Sequence, residues 1–82
     1  MSAIPPSLRA VTVRQWISAL ERDGFTCVRS SGSHRIYRHT DGRMVPVTFH
    51  HLHDTFRRKT LRAMLASTEW TTADLRRLGL LP

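Results

Sequence analysis

Residues 25–49, FTCVRSSGSHRIYRHTDGRMVPVTF, contain three short segments separated by two glycine turns. The segments FTCVRS, HRIYRH and RMVPVTF are rich in aromatic and β-branched residues, and the Ser-Gly and Asp-Gly pairs between them are typical of hairpin turns. The pattern predicts three short antiparallel strands. Pro46 in the last segment cannot donate to a strand ladder, so we expect an edge position, an outward-facing amide side or a bulge there.

The segment before the first strand predicts an amphipathic helix over residues 12–23. Thr12 and Gln15 have the spacing of a capping box, and Gly24 follows the last apolar position. The apolar residues repeat at helical spacing: Val13, Trp16, Ile17 and Leu20.

Two further helices are predicted after the strands. TLRAMLAS at residues 60–67 has helical spacing with Thr60 as a possible cap, and TTADLRRLG follows with Thr71 or Thr72 as cap and Gly79 as the stop. The order α-β-β-β-α with a short terminal helix predicts an α+β sandwich. Its helices cover one face of the sheet and leave the other face free to meet a partner. We expect residues 1–82 to form a single domain.

The amino-acid composition indicates the chemical class of the partner. The chain has 13 Lys plus Arg against 6 Asp plus Glu, a net charge of +7, and all but one of the basic residues are Arg. Arginine favours bidentate contacts with phosphate or carboxylate, so a polyanion, either nucleic acid or an acidic protein, is the expected partner. The single cysteine fits a reducing compartment, and no segment is long and apolar enough to span a membrane, so a soluble cytoplasmic protein is expected.

Several residues are expected to serve the core rather than a site. Trp16 and Trp70 are predicted at or beside the core, and Cys27 as a small buried hydrophobe rather than a nucleophile. Tyr37 could stack on an unpaired base, but packing across strands or at a protein interface is the favoured interpretation.

Three parts of the chain resemble the HicA family of toxin-antitoxin systems: the helix end Asp23-Gly24-Phe25, the segment GSHRIYRH at residues 32–39, and TLRAML at residues 60–65. The resemblance covers about residues 12–80. It implies a fold like the double-stranded-RNA-binding domain and metal-independent cleavage of mRNA, with no cofactor. It also implies a HicB-type antitoxin that occludes the active site in a toxin-antitoxin hetero-oligomer. By match to the family's Gly-Ser/Thr-His motif, His34 is the catalytic histidine.

The chemistry of RNA cleavage suits a histidine at this position. RNA carries its own nucleophile, the 2′-hydroxyl, so cleavage needs a base, an acid for the leaving oxygen and cations for the phosphorane charge. An imidazole can do either proton transfer near neutral pH. Arg35 and Arg38 could supply charge, and strand alternation puts Arg38 on the face of His34. The amides of Gly32 and Ser33 could approach a phosphate.

A basic run begins the second long helix, and it is formed by Arg57, Arg58, Lys59 and Arg62. It could hold RNA phosphates, although a solvated helix face is an equal alternative. Many HicA proteins have glycine where this chain has Lys59, and a turn that requires positive φ would make Lys59 costly. Many also carry Pro-x-His where this chain has VTFHHLH.

The cluster of His50, His51, His53 and Asp54 suggests a metal site only weakly, because solvated loop histidines are far commoner, and no metal is expected. His50 or His51 is conceivable as a second proton-transfer group. Two other functions remain open from the residues: a non-catalytic RNA-binding module of double-stranded-RNA-binding type and, more weakly, a DNA- or protein-binding accessory subunit.

Overall fold

The computed structural model describes Leu8 and residues 10–82, in which a helix is followed by three strands and two helices. The elements are α1 (Val13–Arg22), β1 (Thr26–Ser31), β2 (His34–Arg38), β3 (Met44–Thr48), α2 (Arg58–Thr68) and α3 (Thr72–Arg77). The α+β order predicted from the sequence is confirmed. None of the helices among these residues is long and apolar enough to cross a membrane.

The predicted caps hold for α1 and α3. Thr12 and Gln15 bond each other's backbone amides at the start of α1, and Thr71 and Asp74 do the same at the start of α3. These reciprocal bonds satisfy amide groups that a helix N-terminus otherwise leaves without partners.

The start of α2 differs from the prediction. The helix begins at Arg58 with Arg57 at its N-cap, so Thr60 lies inside the helix and its predicted role as cap is wrong. The segment before α2 pairs through its backbone with the start of α1, since Thr55 bridges Thr12, and the helix begins three residues after this bridge. Lys59 is therefore an ordinary helical residue in the first turn of α2 and needs no positive φ.

The three strands form one antiparallel sheet in the order β1-β2-β3, so β3 is an edge strand. The Phe49 amide donates to the Ser33 carbonyl at 3.0 Å, which makes the adjacent His34–Thr48 pair non-hydrogen-bonded. Pairs alternate along an antiparallel ladder, so Pro46 also lies in a non-hydrogen-bonded pair with its nitrogen pointing away from β2. No ladder bond is lost there, and the predicted edge position is confirmed.

One face of the sheet packs under the helices and the other is open. Val45, Val47 and Tyr37 are buried under the helices, and Tyr37 is only 1% exposed, so its predicted packing role is confirmed. The alternate residues of β2 and β3 point the other way. We call this surface the open face, and it comprises His34, Ile36, Arg38, Met44, Pro46 and Thr48.

The core confirms the two tryptophan predictions. Trp16 and Trp70 are both buried, with ring centroids 5.1 Å apart, and Phe25 meets Trp70 edge to face at 6.3 Å. The prediction for Cys27 is wrong, because its side chain is exposed. β1 is the other edge strand, and none of its six residues is buried. Cys27 is therefore exposed because no helix covers this strand.

The sheet end at the 39–43 turn is tied to the helices through Asp23, and we call it the anchored end. The Asp23 carboxylate accepts hydrogen bonds from Trp70 Nε1 at 2.8 Å and Arg77 at 2.9 Å, and pairs with Arg43 at 3.3 Å. Arg43 also donates to the Thr68 carbonyl at 2.6 Å. Burial opposes ionisation of Asp23, but these hydrogen bonds and positive charges outweigh it and lower its pKa.

Candidate functional site

The β1–β2 turn places His34 at the opposite end of the sheet from the anchored end. Ser31 pairs with His34 across a two-residue connection, Gly32 and Ser33. Gly32 has φ +58°, the left-handed conformation that a type II′ hairpin requires at its first central position. A Cβ on Gly32 would meet no atom within 4 Å, so this glycine serves the turn and leaves its surroundings open. His34 therefore begins β2 as an exposed residue.

Thr48 holds the imidazole of His34 from one side. The Thr48 Oγ1 and His34 Nδ1 atoms are 3.1 Å apart across the strand pair. Within residues 10–82, the Nε2 atom of His34 has no hydrogen-bond partner. One ring nitrogen is thus engaged and the other faces the open side of the sheet.

The two arginines of β2 lie on different faces, as strand alternation predicts. Arg35 is on the helix side, where it donates to the Tyr37 hydroxyl at 3.2 Å and stacks over the Phe49 ring with its guanidinium carbon 4.9 Å from the ring centroid. The hydrogen bond to Tyr37 raises the pKa of Arg35. Arg38 shares the open face with His34 but lies four residues along β2, about 13 Å away by strand geometry. Arg38 therefore stays a predicted RNA-binding residue of the open face, at the other end of β2 from His34.

A shallow groove of about 340 Å³ lies beside the turn. Its lining residues are Gly32, Ser33, Arg35, Phe49 and His50. Ser33 and Arg35 flank His34 in the chain, so this groove and the imidazole lie at the same end of the sheet. Arg35 is on the helix side of the sheet, whereas the imidazole is on the open face. An arginine already stacked on an aromatic ring, next to an unobstructed glycine, suits a nucleotide phosphate or base.

The basic residues of the second long helix are all exposed, and they are Arg57, Arg58, Lys59 and Arg62. In the part of the chain that the structure describes, no side chain caps this helix, and no acidic residue lies in its first turn. Positive side chains at a helix N-terminus add to the positive end of the helix dipole, so this end of α2 attracts anions. Thr68, at the other end of α2, contacts Arg43 of the anchored end, so the first turn of α2 points away from that end.

The other histidines differ from His34. His39 Nε2 lies 2.7 Å from the Asp23 carbonyl, which can only accept, so Nε2 carries the proton, and Nδ1 accepts from the Asp41 amide at 3.1 Å. Both nitrogens of His39 are therefore used in holding the turn.

The histidine loop forms a stacked pair rather than a ligand cluster. The rings of His51 and His53 lie 5.4 Å apart at 19°, and His53 is 3.9 Å from Asp54. Among the residues that the structure describes, no group of three or more His, Cys, Asp or Glu side chains is arranged to hold a metal ion. His50 alone of this loop lines the groove beside the turn.

Sequence reasoning missed Thr48. Its contact with His34 depends on the register of β2 and β3, which is set by the turn between these strands rather than by any motif around Thr48. Counting outward from the three-residue turn at residues 40–42, which His39 and Arg43 close, would have paired the two residues.

A comparison with protein-family models matches residues 13–70 to the HicA toxin of bacterial toxin-antitoxin systems. A search of the curated proteins finds no match to the chain. The helix, three-stranded antiparallel sheet and following helices agree with the double-stranded-RNA-binding-domain-like layout of that family. Because the matched segment covers more than half of the 82 residues, the chain belongs to the HicA family of bacterial toxins.

Proposed function

We propose that this chain is a metal-independent endoribonuclease that cleaves mRNA in the cytoplasm, with His34 as the proton-transfer residue. A HicB-type antitoxin binds it in a toxin-antitoxin hetero-oligomer and neutralises it. The observation that carries the proposal is the exposed imidazole of His34, engaged at Nδ1 by Thr48, at the turn of a HicA family chain.

His34 performs the reaction by moving one proton. Nε2 takes the proton of a ribose 2′-hydroxyl, whose oxygen forms a bond to the adjacent phosphorus. The bond from phosphorus to the 5′-oxygen of the next nucleotide breaks, and that oxygen receives a proton from the imidazolium or from water. The products are a 2′,3′-cyclic phosphate and a 5′-hydroxyl, and no redox partner or second substrate is required.

Positive charge near the turn supports an RNA substrate. The groove formed around Gly32, Ser33 and Arg35 holds the strand beside the reacting phosphate, and the four basic residues of α2 add longer-range attraction. A net charge of +7 on 82 residues strengthens this attraction at low ionic strength.

The open face supports the antitoxin as partner. Val28, at the β1 bulge, is 55% exposed and Met44 is 49% exposed, so both side chains are available to pack against a protein partner. A HicB-type partner with apolar and acidic side chains would cover these residues and Arg38. If it extends along the open face over Pro46 and Thr48, it also shuts RNA away from His34.

The test is cleavage of mRNA by the purified chain in the presence of EDTA. We expect His34→Gln to lose at least about 100-fold in cleavage rate, the usual contribution of a general acid or base, while RNA binding and the free energy of unfolding stay near wild type. His53→Gln is the matched control, because its side chain is 85% exposed. It should cleave as the wild type does.

Other outcomes would replace parts of this proposal. Undiminished cutting by His34→Gln removes His34 from the mechanism. Binding of RNA by the wild type without any cutting favours a non-catalytic RNA-binding module. Loss of wild-type cutting in EDTA, matched by the effect of His50 or His51 substitution, contradicts a metal-independent reaction.

A further inference from the structure

The side chain next to His34 across the sheet is a threonine whose hydroxyl contacts the imidazole. We propose that Thr48 is a positioning residue that fixes the His34 ring through Nδ1 so that Nε2 is presented to the RNA. This inference rests on the proposed ribonuclease function and assigns Thr48 no contact with substrate. Three features of the site carry it: the pairing of the two strands, the stiffness of threonine and the chemistry of a hydroxyl group.

The strand pairing brings the two side chains together. His34 and Thr48 are Cα partners, and the bond from the Phe49 amide to the Ser33 carbonyl identifies them as a non-hydrogen-bonded pair. In such pairs the Cα atoms are about 4.5 Å apart and the side chains are closer than in hydrogen-bonded pairs. The Oγ1 to Nδ1 distance of 3.1 Å follows from this register.

The β-branched side chain makes the contact stiff. Threonine has few rotamers open to it at χ1 in a strand, so once the backbone of β3 is set, its hydroxyl has few alternative positions. Serine carries the same hydroxyl with more rotational freedom, and valine has the shape of threonine without the hydroxyl. Substituting Thr48 by serine or by valine therefore distinguishes the effect of the hydrogen bond from the effect of side-chain packing.

A hydroxyl suits a histidine that must both take and give a proton. When Nε2 carries the lone pair, Nδ1–H donates to Thr48 Oγ1, and the same bond persists in the imidazolium. When Nε2 carries the proton of the neutral ring, the hydroxyl turns and donates to Nδ1. The ring thus stays in place while Nε2 removes the proton from the 2′-oxygen and returns one to the 5′-oxygen.

His39 gives the internal contrast. Its Nε2 proton is committed to the Asp23 carbonyl and its Nδ1 to the Asp41 amide, so neither nitrogen can reach a substrate. One nitrogen held and one free is the arrangement that a proton-transfer residue needs, and Thr48 creates it at His34.

The first experiment compares RNA cleavage by Thr48→Val, Thr48→Ser and wild type. Loss of one hydrogen bond to the catalytic ring should lower kcat about tenfold in Thr48→Val with KM unchanged, because Thr48 does not touch RNA. Thr48→Ser should retain most of the rate. Thr26→Val is the matched control, an exposed strand threonine of β1 opposite Arg38, and should cleave as wild type does.

The second experiment measures the hydrogen bonding and tautomer of the His34 ring directly, without RNA. Nitrogen-15 NMR of the free chain at a pH where the ring is neutral should give a changed Nδ1 shift and a changed tautomer ratio for His34 in Thr48→Val, and wild-type signals in Thr48→Ser and Thr26→Val. Far-ultraviolet circular dichroism checks that each variant is folded.

The two failures are distinguishable. If wild type never cuts RNA, the proposed function is wrong, while the NMR comparison still decides whether Thr48 holds the ring. If wild type cuts and Thr48→Val has the same kcat and the same Nδ1 signal, only the role of Thr48 is overturned. Equal losses in Thr48→Val and Thr48→Ser would also overturn it, because the hydroxyl would then not be the group that matters.

Discussion

One strand, β2, begins at one histidine and is followed directly by another, and the two have opposite surroundings. His39, at the anchored end, bonds through both ring nitrogens to backbone groups, whereas His34 bonds only through Nδ1 to the side chain of Thr48. The same contrast separates Arg43, which contacts several partners, from the exposed Arg38. Residue type alone therefore does not identify a functional side chain in this chain. What separates the two ends is whether the polar atoms are already used by the fold.

The largest expected difference between the two ends is in stability. Arg43→Ala removes the bond to the Thr68 carbonyl, the ion pair with Asp23 and the stacking on Phe25, whose ring centroid lies 5.0 Å from the guanidinium carbon. We expect a loss of about 3 kcal/mol in the free energy of unfolding, measured by urea denaturation. Arg38→Ala, on the open face, should change it by less than about 0.5 kcal/mol. Equal losses in the free energy of unfolding from the two variants would contradict the difference in stability between the anchored end and the open face.

A smaller effect is expected from the carboxylate at the centre of the anchored end. The hydrogen bonds from Trp70 and Arg77 and the nearby positive charges hold the pKa of Asp23 below the usual value of an aspartate. A group with a depressed pKa in the folded state stabilises the protein above its unfolded pKa, and this contribution is lost as pH falls through the folded pKa. The free energy of unfolding should therefore fall as the pH drops below about 4.

Asp23→Asn tests this acid dependence. The variant keeps the shape of the side chain but removes the charge that faces Arg43 and Arg77, so we expect a loss of about 2 kcal/mol at pH 7 and a flatter profile below pH 4. Asp54→Asn is the control, since within residues 10–82 the only ion pair of Asp54 is a 3.9 Å contact with the exposed His53. A wild-type acid profile in Asp23→Asn would show that other carboxylates control acid unfolding.

The smallest expected effect is a gain in stability. Glu69 ends α2 with φ 59°, the only non-glycine residue with positive φ among those the structure describes. Glycine adopts this conformation without a Cβ penalty, so Glu69→Gly should raise the free energy of unfolding by about 0.5 to 1 kcal/mol, seen as a higher Tm. Glu69→Ala retains the Cβ and should give no gain. A similar Tm for both variants would mean that the left-handed turn carries no strain.

Local patterns in the sequence predicted the fold well. The capping box at Thr12, the cap at Thr71 or Thr72 and the glycine turns each act over a few residues, so a short window contains the whole signal. The start of α2 was predicted too late, because Arg57 makes no side-chain cap bond within the described residues and so leaves no local signal. The segment before it pairs with a distant part of the chain, through the bridge between Thr12 and Thr55.

The candidate site was only partly predictable for the same reason. Strand parity placed Arg38 on the face of His34, but parity says nothing about the distance along the strand that separates them. The strand register brings Thr48 to His34, and helix packing brings Trp70 to Asp23. Neither contact has a local signal in the sequence. Cys27 was misplaced because no local signal tells an edge strand left uncovered from one beneath a helix.

Pro46 has a consequence for the behaviour of the isolated chain in a crowded solution. The residues of β3 in non-hydrogen-bonded pairs, Met44, Pro46 and Thr48, direct their nitrogens to the outer edge of the sheet, and the central one has no hydrogen to offer. A strand from another copy could not build an uninterrupted ladder there. An edge beside exposed apolar side chains would otherwise be a template for aggregation, and a single imino acid interrupts it without disturbing the pairing of β3 with β2.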